Sequence, residues 1–77
     1  MINEGQIRAA MKAAGVDINV DKIAVDTSLR DAGMDSLDMF NLFLEIETAF
    51  QIKIPDEAIE NLQTIEEIRN YLNQSVR

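Results

Sequence analysis

The sequence predicts an all-α fold: a small four-helix bundle, three main helices and one short one, with a long ordered loop between helices one and two. Three observations predict it. Helix-start chemistry occurs at Asn3, at Asp35 and at Thr64. Each start is followed by apolar residues three and four apart, the spacing of one helix face. The chain has 77 residues, enough for one domain, here taken as 1–77, with a thin core.

The first helix is expected to begin near Asn3, which can cap it while Gln6 reaches back to form a capping box. Ile7, Ala10, Met11 and Ala14 then recur at helical spacing, and Gly15 suits the position just past the end. Residues 16–34 are ambiguous. Val16, Ile18 and Val20 alternate with polar residues, as do Ile23 and Val25, which is a short-strand pattern. Only two such runs exist, and an isolated hairpin is marginal. An ordered loop that drops these side chains onto the bundle is the better reading, with a turn at Thr27-Ser28 and Gly33 closing it.

The second helix is expected from Asp35-Ser36 to about Phe50, with Asp35 as its cap and Asp38 favourably placed in the first turn. Ile52-Lys53-Ile54 links it to a short third helix from Pro55, at the first helical position, to about Asn61. Thr64-x-x-Glu67 is a capping box for the fourth helix, whose inner stripe is Ile65, Ile68, Leu72 and Val76.

At about 100° per residue, Met39, Leu42, Phe43, Ile46 and Phe50 share one face of the second helix. Leu37, Phe40 and Leu44 lie nearly opposite. The second apolar side is either covered by helix three or left partly exposed as a docking patch; both hold if Phe40 lies under helix three and Leu37 outside it.

Composition excludes whole classes of function. The chain has neither cysteine nor histidine, which removes disulfides, thiolate chemistry, the usual zinc ligands and the base that activates a serine nucleophile. A self-contained enzyme is not expected. The net charge is -7, which disfavours binding to nucleic acid or to anionic membranes. Residues 35–60 hold seven acids and one base, Lys53, and so six of the seven net negative charges. A charge serving only solubility would be spread more evenly. The concentration predicts a docking surface for basic partners. No basic region followed by an apolar run opens the chain, so no signal peptide is expected and the cytoplasm is the default location. The chain is expected to be monomeric.

Ser36 taken alone would be a helix-start residue. Its neighbourhood, Gly33-Met34-Asp35-Ser36-Leu37-Asp38, resembles the attachment motif of the acyl carrier proteins. Leu29, Asp31 and Gly33 are similar to the family's approach to that motif. Leu42, Ile46, Glu47 and Phe50 are similar to its second helix, and Ile52-Lys53-Ile54-Pro55-Asp56 to its lead into the third. The resemblance covers essentially the whole chain.

It implies a 4'-phosphopantetheine arm on Ser36, placed there from coenzyme A by a separate phosphopantetheinyl transferase that supplies the base and metal this chain lacks. The arm's terminal thiol would hold acyl groups as thioesters, to be presented to acyl-transfer and synthase enzymes of fatty-acid, polyketide or related lipid pathways. By the same analogy, Asp35, Asp38, Glu47 and Asp56 are acidic contacts for basic docking patches, Leu37 and Phe40 apolar ones, and the acyl chain tucks between helices two and three.

The chain departs from the family's pattern at several positions. Asn41, Thr48 and Ala49 stand where acids are frequent, Met39 and Phe40 are bulkier than usual, and Ala32 replaces a common leucine. These departures point to a specialised carrier with its own partners. Two other readings stay open: a peptidyl or D-alanyl carrier with the same attachment chemistry, and an unmodified acidic interaction module. A dedicated metal site at Asp31, Asp35 and Asp38 is not expected, because the spacing is not that of a calcium loop.

Overall fold

The computed structural model describes residues 1–75. Four helices appear in it: α1 (Glu4–Ala13), α2 (Ser36–Phe50), α3 (Asp56–Ile59) and α4 (Ile65–Ser75). No strand occurs among the described residues.

Local chemistry starts each main helix as expected. Asn3 Oδ1 accepts from the Gln6 N–H at 3.0 Å, and Gln6 Oε1 accepts from the Asn3 N–H at 2.9 Å. The same reciprocal arrangement opens α4, where Thr64 Oγ1 accepts from the Glu67 N–H and Glu67 Oε1 accepts from the Thr64 N–H, each at 3.1 Å. Such caps satisfy backbone donors that the helix itself cannot. Gly15 follows α1 at φ 82°, a left-handed conformation that glycine adopts without steric cost.

The core forms where the stripes meet. α1 packs against both α2 and α4. Ile7, Met11, Leu42, Ile46, Ile65, Ile68 and Leu72 are fully buried. Each such side chain contributes about 1.5–3 kcal/mol relative to exposure. Phe50, expected in the stripe, is half-buried at its edge. Val76, assigned to the α4 stripe, lies outside the described residues. The Asn73 amide ties the N-terminus to α4, accepting from the Ile2 N–H at 2.8 Å and donating to the Ile2 carbonyl at 3.0 Å.

The loop between α1 and α2 is ordered and gives up its alternating residues to the bundle. Val16, Val20, Ile23, Leu29 and Met34 are all buried. Its backbone is tied to the start of α4: the Leu29 N–H donates to the Gln63 carbonyl at 2.8 Å, and the Glu66 N–H to the Val25 carbonyl at 3.0 Å. A 3-10 turn at Val20–Lys22, not foreseen from the sequence, is held by the Arg8 guanidinium donating to the Val20 carbonyl.

Two expectations for the third helix need correction. Pro55 stands before α3 as its extended N-cap and not at the first helical position, and the helix ends at Ile59 instead of near Asn61. Beyond it the Asn61 and Leu62 N–H groups bond carbonyls three residues back, at 3.0 Å each, so the chain tightens into turns. α3 is thus a four-residue single turn, attached to the core through half-buried Ala58 and Ile59. It is too short to cover the second side of α2. Phe40, expected beneath it, is 60% exposed, beside Leu37 at 65% and Leu44 at 45%.

Candidate functional site

The site begins in the turn that leads into α2. Leu29 and Met34 are anchored in the core, and the Met34 N–H donates to the Leu29 carbonyl at 3.0 Å. Between them Gly33 takes φ 115°, a conformation costly for any residue with a Cβ. The chain therefore arrives at Asp35 in a fixed direction. Asp35 Oδ1 accepts from the Asp38 N–H at 2.8 Å, and Asp38 Oδ2 accepts from the Asp35 N–H at 3.3 Å. Both carboxylates are committed to the helix end, which makes Asp38 half of a capping box as well as a favourable first-turn charge.

Ser36 is the first residue of α2 and is exposed. Its Oγ accepts a hydrogen bond from Arg30 Nη2 at 3.2 Å. Beside it runs a groove of about 800 Å³. Arg30, Ser36, Met39, Phe40, Phe43, Leu44 and Glu47 line it from the loop and α2; Lys53, Ile54, Pro55, Asp56, Ile59 and Glu60 line it from the linker and α3. The groove exists because the single turn of α3 stands off from α2.

The structure thus gathers four of the seven expected residues, Ser36, Phe40, Glu47 and Asp56, around one groove. Asp35, Leu37 and Asp38 flank Ser36 along the chain without lining it. Glu47 is half-buried, and its Oε2 accepts from the Ile54 N–H at 2.8 Å, so it fastens the groove's linker wall to α2. Sequence reasoning did not find Arg30, Lys53, Ile54 or Ile59 as parts of the site. Arg30 carried one available signal: it is the only base between Lys22 and Lys53. Among the described residues no cluster of three or more acidic side chains is placed to hold a metal ion.

An exposed hydroxyl on a rigid helix start, with a guanidinium against it and an apolar groove alongside, can accept and orient a long phosphate-linked group. The nearest carboxylates along the chain, those of Asp35 and Asp38, are taken up by backbone N–H groups. Comparison with known proteins agrees. A family model described as the phosphopantetheine attachment site matches residues 7–72. The chain is 38% identical over 72 residues to the acyl carrier protein of Syntrophobacter fumaroxidans, covering 83% of this chain and 89% of that one. It is 34% identical over 67 residues to the acyl carrier protein of Onion yellows phytoplasma, covering 86% and 88%. It is 30% identical over 79 residues to that of Thermosynechococcus vestitus, covering 97% and 98%. The chain belongs to the acyl carrier protein family. It is a carrier and not a catalyst, and its cofactor is phosphopantetheine, whose terminal thiol supplies the thioester-forming group that a chain without cysteine lacks. The family works with synthase and transferase enzymes. No helix among the described residues is long and apolar enough to cross a membrane.

Proposed function

We propose that Ser36 is the hydroxyl that receives the arm, and that the chain carries acyl groups on it as a monomer in the cytoplasm. The observation that carries this reading is the placement of the exposed Ser36 Oγ at the first residue of α2, 3.2 Å from Arg30 Nη2 and on the rim of the groove. In the attachment step Ser36 Oγ forms a bond to the phosphorus of coenzyme A that bears the pantetheine. Adenosine 3',5'-bisphosphate leaves, and the serine proton passes to a base of the phosphopantetheinyl transferase. The residues fit the group: an accessible hydroxyl for the ester, a guanidinium for the phosphate, and Met39, Phe40, Leu44 and Ile59 for an acyl chain.

Acyl-transfer and synthase enzymes with basic patches would dock on Asp35, Asp38, Glu47 and Asp56, with Leu37 and Phe40 as apolar contacts. Surface ion pairs contribute only about 0–1 kcal/mol each. Docking built on them is weak, fast and salt-sensitive, as a shuttle requires.

Intact mass before and after incubation with coenzyme A and a broad-specificity transferase tests the attachment. The parent should gain one phosphopantetheine and Ser36→Ala none. No gain in the parent, with the native host's own transferase as well as one shown active on another carrier, would leave an acidic docking domain without the arm.

A further inference from the structure

We propose that Arg30 is a positioning residue for the arm: its guanidinium pairs with the phosphate esterified to Ser36. The inference rests on the attachment reading and extends it to a residue outside the motif. Arg30 Nη2 donates to Ser36 Oγ at 3.2 Å, and that oxygen is the atom to which the phosphorus would be bonded. Arg30 and Ser36 also line the same groove.

The charges around Arg30 explain why it is available. Asp31, Asp35 and Asp38 lie close in sequence, yet among the described residues the single salt bridge is Lys12–Asp21, at 2.9 Å. Asp35 and Asp38 spend their carboxylates on each other's backbone N–H groups. The hydrogen bond to Ser36 is the one side-chain bond Arg30 makes among the described residues. A guanidinium is always charged and presents a planar fork of donors matched to phosphate oxygens. Without it, the charged side chains flanking Ser36 along the chain, Asp35 and Asp38, both carry the phosphodiester's own sign, and the groove's other base, Lys53, stands on the linker wall. With it, the arm's root has a counter-charge fixed on the side where the groove lies.

The test loads the parent, Arg30→Gln and Arg30→Lys with phosphopantetheine, confirms loading by intact mass, and compares each loaded form with its unloaded form by thermal melting and phosphorus NMR. The loaded-minus-unloaded shift in midpoint should be about 2–4 °C more favourable in the parent than in Arg30→Gln at low salt. Arg30→Lys should fall between them, since lysine keeps the charge and loses the fork. The gap should close near ~1 M salt, where the screening length falls to about 3 Å, and the phosphorus resonance should differ between the parent and Arg30→Gln. Equal midpoint shifts and a common phosphorus resonance in fully loaded parent and variants would overturn the role of Arg30 while leaving the attachment intact. A parent that gains no mass would overturn the attachment reading, and this one with it.

Discussion

The carboxylate of Glu47 on α2 accepts the backbone N–H of Ile54 in the linker to α3, at 2.8 Å. The bond spans seven residues of chain and fixes where the linker runs after α2 ends. Ile54 is thereby held in the core at 5% exposure, and Pro55 and Asp56 follow it onto the far wall of the groove. An acid that reads as a surface charge is thus also a structural fastener, and its Oε1 is left without a hydrogen-bond partner among the described residues.

Glu47→Ala should therefore destabilise the apo protein by about 1–2 kcal/mol, because it strands a part-buried N–H and loses a charge-assisted bond. In a domain of this size that is a fall in Tm of roughly 4–16 °C. Glu47→Gln, which keeps an acceptor oxygen, should lose less than half as much. Thermal melts of the two variants check this; equal losses would mean that charge and not the hydrogen bond matters at this position.

Phe40 and Phe43 lie three residues apart on α2 and differ sharply in exposure. Phe43 is 3% exposed and Phe40 60%. Phe43→Ala should cost about 3–5 kcal/mol, a large part of a total stability expected near ~4–12 kcal/mol. Phe40→Ala should cost less than about 1 kcal/mol and instead weaken transfer to partner enzymes. Denaturant titration beside an acyl-transfer assay separates the two. A Phe40→Ala protein as unstable as Phe43→Ala would show that the groove is closed in solution.

Two positions with positive φ should respond in opposite directions. Gly33 adopts φ 115° and Gln51, the exposed residue that ends α2, adopts φ 54°. At Gly33 a Cβ would meet Ile18 Cγ2 at 3.4 Å, an ordinary contact, so the cost of Gly33→Ala is backbone strain, about 1–3 kcal/mol for a conformation outside the left-handed α region. Gln51→Gly removes the milder strain of a left-handed α residue and should raise stability by about 0.5–1 kcal/mol, less what the unfolded chain gains in freedom. Melting curves with the expected signs reversed would contradict the turn geometry at both ends of α2.

Much of this architecture is legible along the chain because cap chemistry is local. Asn3 with Gln6, Asp35, and Thr64 with Glu67 each act within one helical turn, and all three starts are found where the residues place them. The loop is less legible. Its period-two pattern belongs to a chain of turns and one 3-10 turn that buries Val16, Val20 and Ile23 and half-buries Ile18 and Val25, and the carbonyl of Gln63, distant in sequence, is what holds Leu29 there. At α3 the proline signal was correct in kind and off by one position, since the fixed φ of Pro55 serves an N-cap as well as a first helical residue. Ser36 and its acidic neighbours stand out in the sequence. The roles of Glu47 and Arg30 do not, because each depends on a partner that only the folded chain brings near.

The distribution of charge leads to a last prediction. Seven acids and one base lie between residues 35 and 60, and the single salt bridge among the described residues, Lys12–Asp21, lies outside that stretch. The acids of α2 and α3 therefore repel one another with little local compensation, which disfavours the compact state. Raising the ionic strength from ~0.01 M to ~0.15 M shortens the screening length from about 30 Å to about 8 Å, comparable to the spacing between neighbouring helices. The Tm should rise over that range by several degrees and then level off. Glu57→Lys, exposed on α3 and outside the groove lining, should raise the low-salt Tm and flatten its salt dependence. A Tm that is constant or falls across the salt series would mean that the acids are too well solvated to oppose folding, and that their concentration on α2 and α3 bears on docking alone.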